Sequence, residues 1–118
     1  MANETMIKRV AFANFVPTAA TTYTSGVIIP KGAVVTSVKT IEGTALAGGT
    51  STKFMVGSQD LTAAIALVGF TGVDSHALTD TDGLVITASG ELSIITVGIH
   101  SAGDIDVYVE YYFVESHT

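Results

Sequence analysis

β-Branched side chains fill an unusually large share of this chain. Val, Ile and Thr together occupy 41 of its 118 positions. Two substituents on Cβ restrict χ1, so these residues fit a pleated sheet better than a helix. A chain of this length forms one domain by the usual size range. The sequence therefore predicts an all-β, single-domain jelly roll or β-sandwich of about 7–9 antiparallel strands.

The last predicted strand has the clearest pattern. Two sets of residues alternate along it, and a period of two places one set on the core face and the other toward solvent or a partner. The core set is Ile105, Val107, Val109, Tyr111 and Phe113, and the outward set is Asp104, Asp106, Tyr108, Glu110 and Tyr112.

Gly, Pro and Asp divide the rest of the chain into shorter predicted strands. Gly26 is expected to form a bulge in the second of them. Residues 43–49, which are mostly small, are expected to form a loop. The predicted strands before the last one cover residues 6–15, 21–29, 33–41, 51–56, 84–88 and 92–99, with a short one around 76–78.

Two further local structures are predicted from turn signals. Ser89-Gly90-Glu91 separates two of these strands and predicts a hairpin between them. Residues 60–70 leave two alternatives open. They form either a strand or a short helix that Asp60 caps and in which Leu61, Ala64 and Ile65 share a face.

The N-terminal part of the chain is treated separately. Residues 1–25 are expected to form an N-terminal strand or arm with a part in docking, and residues 26–118 the remainder of the same β-sandwich. The start loosely resembles a signal peptide, but Glu4 interrupts its basic region and Pro17 ends its apolar run. We therefore expect a mature protein that is made in the cytoplasm.

Charge limits the partners that this chain can have. The net charge is −6, and Lys8-Arg9 is the one basic pair, so we expect no binding to nucleic acid. No stretch approaches the ~18 apolar residues of a membrane span, so we expect no membrane partner. Only 14% of the residues are charged, against about 25% in an average domain. A surface so low in charge favours a homo-oligomer or a docked subunit.

Residues that carry chemistry are few and scattered. The chain has no Cys, and its histidines, His76, His100 and His117, lack the spacing of a zinc site. We expect these histidines on the surface of loops or strands. Asp80 and Asp82 resemble half of a calcium loop but are explained as turn residues. We expect no enzyme activity, no cofactor, no metal site and no catalytic residue.

The outward carboxylates of the last strand have two explanations. Asp104, Asp106 and Glu110 could serve acid–base chemistry if one of them had a raised pKa in a cleft. Charges on an outer strand face more often hydrate the surface or discourage edge pairing, and we favour this second explanation.

Outward aromatic residues mark the most promising contact surface. Tyr108 and Tyr112 are predicted to face away from the core, and aromatic residues are enriched in protein interfaces. With Met6, Lys8 and Arg9 of the first strand, they form the predicted partner interface.

Three segments resemble small virion proteins of tailed bacteriophages. Residues 29–38 (IPKGAVVTSV) are similar to their entry into a strand, and residues 54–58 and 60–64 (FMVGS, DLTAA) to a strand, a glycine and a following segment. Residues 101–112 (SAGDIDVYVEYY) are similar to their closing strand. The resemblance covers roughly residues 27–114.

The resemblance implies both a fold and a role. Such proteins are jelly-roll or β-sandwich subunits of the head, often trimeric decoration or cement proteins that bind the major capsid protein. It implies a homotrimer on the outer head surface of the virion that bridges capsid proteins and stabilises the expanded shell. The alternative is a tail or fibre module that binds host-surface carbohydrate, for which Tyr23, Asp74 and His76 are the candidate contacts.

Overall fold

The computed structural model of the protein describes the backbone of residues 3–81 and 83–117 and the side chains of residues 6–81 and 83–113. Ten strands and one 3-10 turn (Leu67–Gly69) are found in these ranges. The strands are β1 (Asn3–Phe15), β2 (Thr22–Ile29), β3 (Val34–Ala47), β4 (Ser51–Val56), β5 (Gln59–Asp60), β6 (Ile65–Ala66), β7 (Val73–His76), β8 (Leu84–Val85), β9 (Gly90–Val97) and β10 (Ala102–His117).

The strands form two antiparallel sheets. Sheet A has the order β1-β10-β3-β7, with β8 also paired to β3, and sheet B has the order β2-β9-β4-β5, with β6 also paired to β4. The first half of the chain thus pairs with the second half, β1 with β10 and β2 with β9, and successive pairs enter alternate sheets. This is the connectivity of a jelly roll, and the predicted all-β fold class is confirmed.

The core lies between the two sheets. Strand alternation sends one set of side chains inward from each sheet. In β10 this set is the predicted one: Ile105, Val107 and Val109 are fully buried and Tyr111 nearly so. The other large members of the core are Phe15, Ile29, Val35, Val38, Phe54, Val56, Leu61, Phe70, Ile86, Leu92 and Ile94.

Two local predictions differ from the structure. Residues 43–49 were expected to form a loop, but β3 continues to Ala47 because β10 remains paired to it as far as Ala102. The predicted hairpin across Ser89-Gly90-Glu91 is wrong: β8 pairs with β3 in sheet A, whereas β9 belongs to sheet B. A turn signal marks where the chain reverses, but not whether it stays in the same sheet. The bulge at Gly26 is confirmed by the register shift between Thr24 and Ile28.

Residues 60–70 adopt neither of the two alternatives. They contain the last residue of β5, the whole of β6 and the 3-10 turn. A helix would put Leu61 and Ala64 on one face, but Ala64 is exposed, whereas the neighbours Leu61 and Thr62 are both fully buried. The backbone N–H of Leu61 donates to the carbonyl oxygen of Phe54 at 2.9 Å. The segment therefore wraps around the edge of sheet B.

Candidate binding face

The outer face of sheet A is the side turned away from sheet B. The β-ladders place its residues in rows that cross the sheet. One row runs from Phe12 of β1 through Tyr108 and Lys39 to Ser75 of β7. The next row is Asn14, Asp106, Ile41 and Val73, and on the other side lies the pair Val10 and Glu110.

Large apolar side chains are exposed on this face. Val73 is 75% exposed, Val10 53%, Phe12 48% and Ile41 40%. Val10, Ile41, Val73 and Tyr108 line a shallow groove of about 640 Å³ across the four strands. Apolar surface in a continuous patch marks contact sites more often than scattered apolar residues do. The face therefore has the character of a binding surface.

An aromatic pair lies in this face. The ring of Phe12 lies with its centroid 5.1 Å from that of Tyr108, and the two planes are tilted by 53°. This tilted arrangement suits the quadrupoles of both rings. Because the two residues are also opposite each other in the ladder, each ring limits the movement of the other. A preorganised aromatic pair loses little entropy on binding.

The carboxylates beside the apolar residues already have partners. The side-chain amide of Asn14 donates to Asp104 at 2.6 Å and to Asp106 at 2.9 Å. Glu110 accepts a hydrogen bond from the Ser37 hydroxyl at 3.0 Å, and its carboxylate lies 3.8 Å from the ammonium group of Lys8. These contacts agree with the explanation that the outward carboxylates of β10 hydrate the surface. These carboxylates do not prevent pairing at a sheet edge, because β10 lies between β1 and β3.

The structure brings together most of the predicted interface residues. Lys8 is directly opposite Tyr112 on the outer face, Tyr108 lies on the same face, and Met6 is 62% exposed farther along β1. Arg9 has the opposite orientation, with its guanidinium 5.6 Å from the centroid of the Phe113 ring. A role of these five residues in binding stays a prediction.

Sequence reasoning missed the apolar part of the face. In β1 the inward positions hold the small residues Ala11 and Ala13, while the larger Val10 and Phe12 point outward. In an ordinary amphipathic strand the larger side chains would point inward. The reversed size pattern in β1 is the signal that could have revealed the face from the sequence.

The candidate carbohydrate contacts are not brought together. Tyr23 belongs to β2 in sheet B, and its hydroxyl oxygen accepts hydrogen bonds from the backbone N–H groups of Ala19 and Ala20 at 2.8 and 2.5 Å. Asp74 and His76 belong to β7, which lies at the far edge of sheet A from β1. The Tyr23 hydroxyl thus holds a local loop instead of joining a site with the other two.

The expectation that all three histidines are superficial is wrong for His100. Its side chain is 1% exposed, its Nε2 lies 3.0 Å from the Thr52 hydroxyl, and its Nδ1 lies 2.8 Å from the carbonyl oxygen of Gly48. His76 is half-buried on the inner side of β7, and the side chain of His117 lies outside the described side chains. Asp82 of the predicted turn likewise lies outside the described residues.

His76 of β7 lies in a partly buried, largely aromatic environment. Its ring lies against Phe70 and Phe54, with centroids 5.0 and 5.8 Å away, and its Nε2 lies 2.7 Å from the hydroxyl of Thr40. Burial lowers the pKa of His76, although the nearby carboxylate of Asp74 acts in the opposite direction. The folded protein therefore takes up a proton at this ring less readily than the unfolded chain does.

We expect the free energy of unfolding to decrease as the pH falls below about 6.5, the ordinary pKa of His. The contribution of His76 is fully present above that pH and is lost as the pH falls toward its lower folded-state pKa. Thermal unfolding between pH 8 and pH 5 measures this, with His76→Gln as the comparison. The variant should show a smaller decrease in Tm over this range, and an equal decrease would contradict the assignment to His76.

No group of three or more His, Asp or Glu side chains within residues 6–81 and 83–113 is arranged to hold a metal ion. Among the described residues, no helix is long and apolar enough to cross a membrane.

No protein-family model matches the sequence, and no curated protein does either. Solved structures do match the fold. A chain in the acid-stable capsid of Helicobacter pylori bacteriophage KHP30 superimposes with a TM-score of 0.63 at 14% identity, over 100% of this chain and 99% of that one. A chain in the capsid asymmetric unit of cyanophage Pam1 gives a TM-score of 0.61 at 20% identity, over 90% of this chain and 84% of that one.

This chain shares its fold with phage capsid chains. The fold that the sequence resemblance implied is therefore found in capsid structures of two phages. In the KHP30 comparison both chains are matched almost end to end, so the two chains have nearly the same length.

Proposed function

We propose that this protein is a phage capsid decoration protein, which binds the outside of the head and stabilises the expanded shell by bridging major capsid proteins. The observation that carries the proposal is the match along almost the whole of both chains to a component of the KHP30 capsid. A match of this kind covers both chains almost end to end, rather than a part of either. The sequence resemblance to phage virion proteins agrees with it.

The outer face of sheet A supplies a suitable contact surface. Val10, Phe12, Ile41 and Val73 expose apolar area, and charged groups such as Lys8 and Lys39 lie beside them. Protein interfaces combine an apolar, aromatic centre with a polar rim in this way. We propose that this face docks on the major capsid protein.

Stabilisation by such a protein needs no chemistry. A ligand that binds only the expanded shell stabilises that state by mass action. Each subunit that spans a joint between capsid proteins adds contacts that must break before the joint opens. We also propose that the protein is not an enzyme and uses no cofactor, which agrees with the pairing of the outer carboxylates to Asn14, Ser37 and Lys8.

Co-sedimentation with heads stripped of this protein tests the proposal. We expect saturable binding at a fixed ratio per capsomer, and heads that carry the protein should release their genome at a higher temperature than stripped heads. Equal release temperatures would contradict the stabilising role. Absence of binding to heads, together with binding to host-surface glycans, would favour a tail or fibre module instead.

Val73→Glu tests the docking face within the same assay. Because Val73 is 75% exposed, the variant should fold normally, but it places a charge in the groove. We expect binding to stripped heads to weaken by about tenfold or more, as for loss of a central interface residue. Val68→Glu is the matched control, since Val68 is 88% exposed within the 3-10 turn and lies off this face. Equal effects of the two variants would contradict docking through sheet A.

A further inference from the structure

The open edge of β1 is the longest unpaired strand edge in the described structure. β1 is the outermost strand of sheet A, and β10 is its one partner in the described strands. It has 13 residues, which corresponds to about 43 Å of extended chain. Every second residue of an edge strand directs its backbone N–H and C=O away from the sheet, where another strand can bond them.

The other sheet edges are short or interrupted by a bulge, whereas β1 is long and regular. β7 has four residues, and β5, β6 and β8 have two each. β2 has eight, but a bulge between Thr24 and Ile28 interrupts it. Short strands and bulges are devices that prevent edge-to-edge pairing. β1 pairs with β10 in an unbroken register from Asn3 to Phe15 and contains no Pro.

We propose that β1 pairs with β1 of a second copy, antiparallel about a twofold axis at Ala11. Each residue then lies opposite the residue at an equal distance on the other side of position 11. Residues 7–15 of the two copies form nine cross-strand pairs, and the two A sheets become one continuous sheet. The outer faces of both copies lie on the same side of it.

Apolar side chains match on both sides of this pairing. On the outer side, Val10 lies opposite Phe12 of the second copy, and Phe12 opposite Val10, next to the Phe12–Tyr108 ring pair. On the core-facing side of the joined sheet, Ile7 lies opposite Phe15 of the second copy. Aromatic residues opposite β-branched ones are favourable cross-strand pairs. These apolar side chains of β1 therefore gain apolar neighbours in the second copy.

Charge complementarity favours the same register. Lys8 lies opposite Asn14 of the second copy, whose amide holds the carboxylates of Asp104 and Asp106. Neighbouring strands are about 4.8 Å apart, so the long side chain of Lys8 can reach toward this acidic pair. Symmetry gives the contact twice. A twofold axis at Arg9 would instead place the two Arg9 side chains opposite each other, and an axis at Ala13 would pair only residues 11–15.

This contact joins two copies and no more. An isologous contact uses the same patch on both subunits and is satisfied in a dimer. It therefore gives a dimer where the sequence resemblance implies a homotrimer. It does not depend on the capsid proposal, because it is formed by the free protein.

The absence of cysteine from the sequence allows a direct test of the register. Opposed residues of antiparallel strands have Cα atoms about 4.5–5.5 Å apart, within the range of a disulfide. We expect mild oxidation with oxidised glutathione to link Ala11→Cys chains into covalent dimers. Ala13→Cys is the matched control: it is on the same strand and face and equally buried, but lies opposite position 9. Linkage of Ala13→Cys in preference to Ala11→Cys would overturn the register.

Light scattering of the unmodified protein over a range of concentrations tests the dimer itself. We expect a mass of two chains. We expect Phe12→Lys to raise the dimer Kd by about tenfold or more, because it places a charge opposite the apolar Val10 of the second copy. Val97→Lys, on an exposed position of sheet B, should leave the Kd unchanged. A mass of one or three chains, or equal effects of the two variants, would overturn the proposal.

Discussion

Phe54→Ala should lower the free energy of unfolding by about 3–5 kcal/mol, the usual cost of truncating a buried Phe. Phe54 is fully buried in β4 at the centre of the core, with the rings of Phe70 and His76 at centroid distances of 6.4 and 5.8 Å. The deletion leaves a cavity between the sheets that a rigid β-sandwich cannot close. For a domain of this size the loss corresponds to about 10–20 °C in Tm.

Denaturant unfolding at pH 8 measures this cost, because His76 is then in the same protonation state in both proteins. Val68→Ala is the control, since it removes apolar atoms from a side chain that is 88% exposed. Its effect should stay within about 0.5 kcal/mol. If Phe54→Ala were as mild as Val68→Ala, Phe54 would not hold the two sheets together.

His100→Ala should cost about 2–4 kcal/mol, since it removes a buried ring and leaves two buried polar groups without partners. In the neutral ring, Nδ1–H donates to the carbonyl oxygen of Gly48, and Nε2 accepts from the hydroxyl of Thr52. The ring thus joins β4 to the turn after β3. The backbone at Gly49 lies so close that a Cβ there would come within 3.0 Å of Nδ1.

A double-mutant cycle with Thr52→Val separates the hydrogen bond from the loss of packing. If the bond matters, the two substitutions should couple by at least about 0.5 kcal/mol. Ser101→Ala is the control for the same turn: its hydroxyl is exposed and donates to the carbonyl oxygen of Ala47 at 3.1 Å. A cost of His100→Ala no larger than that of Ser101→Ala would contradict a structural role for the ring.

Local pattern was enough to predict much of this fold. The alternation in residues 104–113 gave the inward and outward sets of β10 because side chains alternate strictly on a pleated strand. The bounds of β4 and the bulge at Gly26 also followed from local signals. These features depend on interactions between near neighbours in the chain, which the sequence displays directly.

The candidate binding face depends on distant residues and was only partly predictable. Tyr108, Tyr112 and Lys8 were expected in an interface, and the structure does place them on one face. Phe12, Ile41 and Val73 were missed, because each belongs to a different strand and their proximity exists only after β1, β3 and β7 join one sheet.

By itself, the sequence determined that this chain folds into strands, where most of them lie, and which side of β10 enters the core. These properties follow from χ1 restriction, from the period-two alternation and from turn residues. Tertiary structure decided which sheet each strand joins, why His100 is buried, and that β1 is left with a long open edge. Strand pairing across most of the chain length is set by the packing of two sheets on one shared core, and no local pattern encodes that choice.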